Sequence, residues 1–221
     1  MYLIGKQNLN FNKNMNTENS GKLYILPLDY EFGYVYAELL DYSDTQSFDG
    51  ILVRIYALDC DASKKVGEYP IEDIVSSNVI FGPVPINKYP NVKGKNAWKY
   101  IGKNVNYTRN SLFFKRLRGL LFKSKNWEDL ETWFKFEWDN DDFEAIQCTY
   151  DEVRNLETTI LNHLDGIKVM VTMMKIIEKG EKVKDYYNLL ELGMINLYIR
   201  LVNTYYSKEE SKELLKEVKF P

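Results

Sequence analysis

The chain has 221 residues, of which 45% are apolar and 28% charged, and its formal net charge is −3. These proportions are typical of a globular protein with a buried core, and the slight acidic excess argues against general nucleic-acid binding. The chain contains no apolar run of membrane-spanning length, so no membrane partner is expected. Two cysteines, Cys60 and Cys148, are too few for a disulfide framework. We therefore expect a cytoplasmic protein with reduced thiols.

Short strands are predicted over the first half of the chain. Residues 1–20 are rich in Asn and predict a polar arm. Residues 23–26, 34–40 and 51–58 are rich in β-branched and aromatic side chains and predict three strands. The connections between them are too short for a parallel crossover, so the sheet should be antiparallel.

The middle of the chain predicts edge strands and one helical turn. Residues 70–75 begin with Pro and predict the helical turn. The extended pieces at residues 79–81 and 84–86 predict edge strands or an extended arm, because proline cannot donate to the ladder. Residues 98–101 predict another strand, whereas residues 111–122 are ambiguous between helix and strand.

The apolar spacing changes at Thr149, where Thr149 and Glu152 form a capping-box pattern. Apolar residues then recur three or four apart, which predicts one helical face with a break at Asp165-Gly166. They are Val153, Leu156, Ile160, Leu164, Ile167, Val171 and Met174. A second helix is predicted from Tyr186 to Leu201, and a third after a capping box at Ser207.

The predicted fold class is α+β, with an N-terminal antiparallel curved sheet or small barrel and a helical C-terminal region. The expected division is a polar arm at residues 1–20, a β-rich domain at 21–148 and helices packed on it at 149–221.

The residue types of common active sites do not form a motif. The only histidine, His163, falls inside a predicted helix, and a catalytic interpretation would pair it with Cys60 or Cys148. The chain lacks metal-ligand spacings of the CxxC or HExxH type and lacks a phosphate-binding loop. We therefore predict no catalytic residues, no metal site and no cofactor.

A basic run between Lys115 and Lys125 is followed by an acidic, Trp-bearing segment between Asn126 and Glu144. One interpretation is that both are solvated faces, which pair with each other in the fold. The other is that the acidic segment binds a basic partner, with tryptophans as anchors. The residues predicted for partner binding are Trp127, Glu128, Asp129, Trp133, Trp138, Asp141 and Asp142.

Five pieces in a fixed order carry a family resemblance. They are Gly21-Lys-Leu-Tyr-Ile-Leu-Pro-Leu28, Phe32-Gly-Tyr-Val-Tyr36, Ile51-Leu-Val-Arg-Ile-Tyr56, Val79-Ile-Phe-Gly-Pro-Val84 and Ala97-Trp-Lys-Tyr-Ile-Gly102. Over residues 21–103 the chain resembles the immunity protein 26 family of bacterial polymorphic-toxin systems. The family often has Asp after the Tyr that ends the third piece, and here Ala57 stands there.

The resemblance implies a protein that binds and neutralises a cognate toxin without catalysis, and it transfers no site residues. A basic toxin that cleaves nucleic acid would be complementary to an acidic surface. Two alternatives stay open: a small-ligand-binding domain or enzyme of unknown reaction, and a homo-oligomeric assembly protein. The ligand-binding alternative predicts a concave pocket with convergent polar groups, and the immunity alternative predicts an exposed acidic or aromatic patch.

Overall fold

The N-terminal half of the protein is a five-stranded antiparallel sheet. The computed structural model describes residues 19–42, 50–60, 68–94, 97–108, 113–117, 125–130, 132–137, 145–158, 160, 162–216 and 218. The strands are β1 (Lys22–Pro27), β2 (Tyr34–Asp41), β3 (Ile51–Cys60), β4 (Val79–Ile86) and β5 (Lys99–Lys103), with helix α1 (Ile71–Ser76) before β4. Their spatial order is β4-β3-β2-β1-β5, and every neighbouring pair is antiparallel.

The second sheet is smaller and mixed. It contains β6 (Phe113–Leu117), β7 (Trp133–Glu137), β8 (Ile146–Cys148) and β9 (Glu157–Thr158) in the order β8-β7-β6-β9, with β9 parallel to β6. The helices are α2 (Tyr150–Val153), α3 (Leu164–Glu178), α4 (Leu192–Tyr205) and α5 (Lys208–Leu215), and 3₁₀ turns cover Trp127–Asp129 and Val183–Asp185. The ambiguous segment at residues 111–122 thus contains a strand.

Both faces of the first sheet are covered, so every residue of β2 is buried. On one face, Val35 and Leu39 join a large apolar core that includes Ile167 of α3 and Ile199 of α4. On the other face, Tyr36 belongs to a smaller cluster, which includes α1. Alternate side chains of a strand point to opposite faces, and here each set meets an apolar layer.

The α+β class predicted from the sequence is confirmed, and the sheet is open rather than a closed barrel. Among the described residues, β4 and β5 are the two edges of the first sheet. The prediction that the proline-containing pieces lie at an edge is confirmed, and they form one continuous strand, β4. Of the predicted polar arm, residues 1–18 lie outside the described part of the chain.

The prediction of a continuous helical face from Thr149 is wrong. The capping box of Thr149 and Glu152 is present, but α2 ends at Val153 and is followed by β9. Asn162 then lies in extended backbone against β4, where its N–H donates to the Pro85 carbonyl at 2.8 Å. These backbone hydrogen bonds compete with a helix over residues 154–163, and helix α3 begins only at Leu164.

The expected break at Asp165-Gly166 is also wrong, because both residues lie in the first turn of α3. The second long helix begins at Leu192 rather than at Tyr186, since a 3₁₀ turn and further turns occupy residues 183–191. The capping box of Ser207 and Glu210 at the start of α5 is confirmed.

Gly82 allows β4 to approach β3 closely. Its φ of +88° lies in the left-handed region, and a Cβ there would overlap the carbonyl oxygen of Val53. We expect Gly82→Ala to lower the free energy of unfolding by about 2–3 kcal/mol in urea denaturation, through strain and overlap together. Gly180 is a matched control, because its φ is +74° and nothing lies within 4 Å of its added Cβ. If Gly82→Ala and Gly180→Ala lose equal free energy of unfolding, the Val53 carbonyl does not limit the side chain at position 82.

A candidate protein-interaction surface

The turn between β1 and β2 has an unusual backbone. Tyr30 and Glu31 have φ angles of +52° and +60°, in the left-handed region that side chains other than glycine rarely adopt. Two backbone hydrogen bonds close the turn, from Leu28 N to Gly33 O at 2.9 Å and from Phe32 N to Asp29 O at 3.1 Å. Such conformations cost about 1–3 kcal/mol each and persist only where surrounding contacts hold them.

Those contacts come from α3 and from the connection between α3 and α4. The carboxylate of Asp29 accepts a hydrogen bond from Tyr187 Oη at 3.0 Å and pairs with Lys168 Nζ at 2.5 Å. The backbone N–H of Asp29 donates to Thr172 Oγ1 at 3.2 Å. Tyr30 Oη donates to the carbonyl of Tyr186 at 2.6 Å. The turn is therefore fixed on the helical region by groups far from it in the chain.

Four aromatic rings meet at this place, and we call them the aromatic tip: Tyr30, Phe32, Tyr186 and Tyr187. The Tyr30 ring lies 5.4 Å from that of Tyr186 and 5.2 Å from that of Tyr187, in edge-to-face arrangements. Phe32 and Tyr186 form a third such pair at 5.5 Å. These separations are favourable for aromatic pairs, so the four rings support one another's positions.

The aromatic tip is accessible to a partner. Tyr30 is 52% exposed, and two further exposed apolar side chains lie at the start of α4 and just before it, Leu192 and Leu190. Exposed aromatic rings with restricted motion are typical anchors of protein–protein interfaces, since little side-chain entropy is lost on binding. The arrangement can therefore recognise another protein.

The tyrosine hydroxyls of the tip act as donors. The Tyr186 hydroxyl donates to Glu181, which raises the pKa of Tyr186. Burial, followed by the hydrogen bond to Asp29, raises the pKa of Tyr187. Both phenols thus stay protonated at neutral pH and keep their hydrogen bonds.

A buried ionic network joins α4 to both sheets. Arg200 Nη2 donates to Glu157 Oε2 at 2.9 Å, and Arg200 Nη1 donates to Asn162 Oδ1 at 2.7 Å. The Tyr205 hydroxyl donates to Glu157 and accepts from the Gly82 N–H at 2.7 Å. Burial and the neighbouring carboxylate raise the pKa of Tyr205. With Glu157 and Arg200 only 5% and 4% exposed, this network is part of the interior.

A second network lies on the α1 side of the first sheet. Glu38 is fully buried, and its Oε2 accepts from Arg54 Nε at 2.7 Å and from the Tyr56 hydroxyl. Its Oε1 accepts from Asn104 Nδ2 at 3.0 Å. Burial and the hydrogen bond to Glu38 raise the pKa of Tyr56. Both carboxylate oxygens are satisfied within the fold, so this network holds the sheet together.

A cleft of about 300 Å³ lies beside the N-terminus of α3. The charged and titratable side chains lining it are Lys88, Lys93, His163 and Asp165. His163 Nδ1 lies 2.9 Å from Asn87 Nδ2, and this hydrogen bond fixes the ring. A concave site of this volume is at the lower end of the range for small-molecule pockets.

The structure places two of the predicted partner-binding tryptophans in the core. Trp127 and Trp133 are 0% and 1% exposed, with ring centroids 5.7 Å apart. Trp133 also lies 5.0 Å from the Tyr150 ring. These two rings are therefore not accessible anchors in this structure.

Glu128 is partly exposed and pairs with lysines of α5, at 2.7 Å from Lys208 Nζ and 2.8 Å from Lys212 Nζ. The hydrogen bonds from these lysines lower the pKa of Glu128. Its charge is thus partly compensated within the chain, and the side chains of residues 115–124, most of the basic run, lie outside the described residues. The side chain of Asp129 and the whole of Trp138, Asp141 and Asp142 lie outside the described residues.

The prediction that His163 lies inside a helix is wrong. It is the N-cap residue immediately before α3. Cys148 is a free thiol in β8, and burial raises its pKa. The side chain of Cys60 is outside the described part of the chain. Among the residues that the structure describes, no three His, Cys, Asp or Glu side chains are grouped so as to hold a metal ion.

Sequence reasoning missed the aromatic tip. The sequence predicts only a short connection between the first two strands, and it places Tyr186 in a helix. The sequence does contain a Tyr-Glu-Phe run between the first two strands and a Tyr186-Tyr187 pair. Aromatic residues clustered in connecting segments are candidates for a binding surface.

Comparisons with known proteins gave no relative: no protein-family model, curated protein or solved structure matches the chain. No helix in the described part of the chain is long and apolar enough to cross a membrane.

Proposed function

We propose that the protein is an immunity protein, which binds a cognate toxin domain in the bacterial cytoplasm and neutralises it without catalysis. The observation that carries the proposal is the aromatic tip, in which the exposed Tyr30 ring lies on a strained turn and packs against two less exposed rings, Tyr186 and Tyr187. Backbone strain of this kind clusters at ligand-binding and active sites. The resemblance to the immunity protein 26 family stays a prediction, and its first two pieces, ending at Leu28 and beginning at Phe32, lie on either side of Tyr30 in the chain.

Half of the aromatic tip comes from outside the resembling segment. Tyr186 and Tyr187 belong to the connection between α3 and α4, whereas Tyr30 and Phe32 belong to the first hairpin. A binding surface built in this way would let the C-terminal region determine which toxin is recognised.

The test is rescue of a host that expresses the toxin domain encoded beside this protein. We expect Tyr30→Ala to weaken toxin binding by about 2 kcal/mol or more, roughly thirtyfold, because exposed rigid tyrosines are frequent hot spots. Protection should fall accordingly, while circular dichroism and the urea midpoint show a folded protein. Binding is measured by calorimetry with purified toxin domain.

The matched control is Tyr100→Ala. Tyr100 lies on β5, is 49% exposed and also makes an edge-to-face contact, with Tyr24 at 5.6 Å. It should leave affinity and protection unchanged. If both variants protect the host as well as the natural protein does, the aromatic tip is not the binding surface.

The cleft beside α3 is the observation that favours the alternative of small-ligand binding. The same rescue assay separates the two functions. If the function is small-ligand binding in the cleft, even the natural protein gives no protection against the toxin. We expect the opposite result.

A further inference from the structure

We propose that the aromatic tip receives an arginine side chain of the partner protein, with the guanidinium stacked on the Tyr30 ring and paired with Glu31. This inference rests on the proposed function, since it names the chemical group by which the partner would be recognised.

The first argument is that the hydroxyls of the tip are already engaged within the chain. Tyr30 donates to the Tyr186 carbonyl, Tyr186 donates to Glu181, and Tyr187 donates to Asp29. A partner that approaches the tip therefore meets ring surface rather than free hydroxyl groups. The exposed ring surface belongs chiefly to Tyr30, since Tyr187 is only 7% exposed.

The second argument is that this ring surface attracts cations. The face of an aromatic ring is negative and attracts cations. The tip already holds one cation, because Lys179 Nζ lies 4.3 Å from the centroid of the Phe32 ring.

The third argument is the charge beside the ring. Glu31 is exposed and follows Tyr30 directly, and Glu181 is exposed at the hydroxyl end of Tyr186. Asp29, by contrast, is occupied by Lys168 and Tyr187. An exposed ring and an exposed carboxylate on adjacent residues are together complementary to a group that can both stack and form an ion pair.

Arginine fits these features better than lysine. The guanidinium is planar, so it stacks on an aromatic face while its N–H groups point sideways to a carboxylate. A lysine ammonium is compact and strongly hydrated, and it cannot cover the ring in the same way. The partner chemistry is thus an exposed arginine on the toxin surface.

The probe for this inference is N-acetyl-arginine methylamide, and the control probe is the citrulline counterpart, which has the same shape without charge. The protein carries ¹³C in its tyrosine rings, and ring resonances are followed by NMR during titration. We expect saturable shifts of the Tyr30 and Tyr186 rings with the arginine compound, in the millimolar range, and at least fivefold weaker binding of the citrulline compound.

Three variants sharpen the test. Tyr30→Leu keeps an apolar side chain without a π-face, and affinity, followed on Tyr186, should fall about fivefold. Glu31→Gln should lower affinity about twofold at low salt and remove part of the salt dependence. Lys179→Met removes the resident cation and should strengthen binding, because repulsion of the incoming guanidinium is relieved.

Equal binding of the two probes, or unchanged affinity in Tyr30→Leu, would overturn the arginine inference. This outcome is distinguishable from failure of the proposed function. If neither probe binds but Tyr30→Ala still loses protection against the toxin, the surface is correct and the arginine is wrong. If Tyr30→Ala protects fully, the proposed surface itself fails.

Discussion

Replacing Arg200 by methionine is expected to lower the free energy of unfolding by about 3–5 kcal/mol. Arg200 is buried on α4 and donates to Glu157 and Asn162 at 2.9 and 2.7 Å. Its loss leaves a carboxylate inside the protein without its cation and an amide oxygen without that donor. Urea denaturation at neutral pH measures the change.

Two further measurements show whether the buried charge is the cause. In the double variant Arg200→Met with Glu157→Gln the unpaired charge is removed, so part of the lost stability should be recovered. Lys216→Met breaks an exposed pair with Glu213 and should change stability little. A loss in Arg200→Met no larger than in Lys216→Met would contradict the buried network.

The second large effect is expected for Trp133→Ala, with a loss of about 3–5 kcal/mol in the free energy of unfolding. Trp133 is 1% exposed and packs between Trp127 and Tyr150, so truncation opens a cavity where the second sheet meets the helices. Thermal and urea denaturation measure the loss.

The variant Trp133→Phe separates a core role from a binding role. It keeps most of the ring and should lose less than half as much stability as Trp133→Ala, with toxin affinity unchanged. If Trp133→Phe stays fully stable but loses toxin affinity, Trp133 contacts the partner, which is what the sequence predicts.

Much of the first sheet was predictable because its signals are local. The strands at 23–26, 34–40 and 51–58 are β-branched and aromatic runs bounded by turn residues, and each is present in the structure. The capping boxes at Thr149 and Ser207 were equally predictable, since both partners lie within one helical turn.

The start of the C-terminal region was not predictable in this way. Spacing of three and four placed Leu156 and Ile160 on a helical face. In the structure Leu156 lies in a turn after α2, residues 157–158 pair with β6, and Asn162 pairs with β4. A periodic pattern describes which side chains are buried together, and it does not reveal a competing strand from a distant part of the chain.

The candidate site depended even more on distant contacts. The hydrogen bond from Tyr30 to Tyr186 joins residues 156 positions apart, and the pair of Arg200 and Glu157 joins residues 43 positions apart. Composition showed many aromatic and charged side chains without showing which of them are buried.

By itself, the amino-acid sequence determined the α+β class, most strands of the first sheet and the caps of two helices, because these follow from interactions between near neighbours. The tertiary structure alone decided that Trp127 and Trp133 are buried and that Tyr30 is exposed. The physical reason is that burial is a property of packing between distant elements. Whether an aromatic ring is buried or exposed depends on which other elements of the chain pack against it.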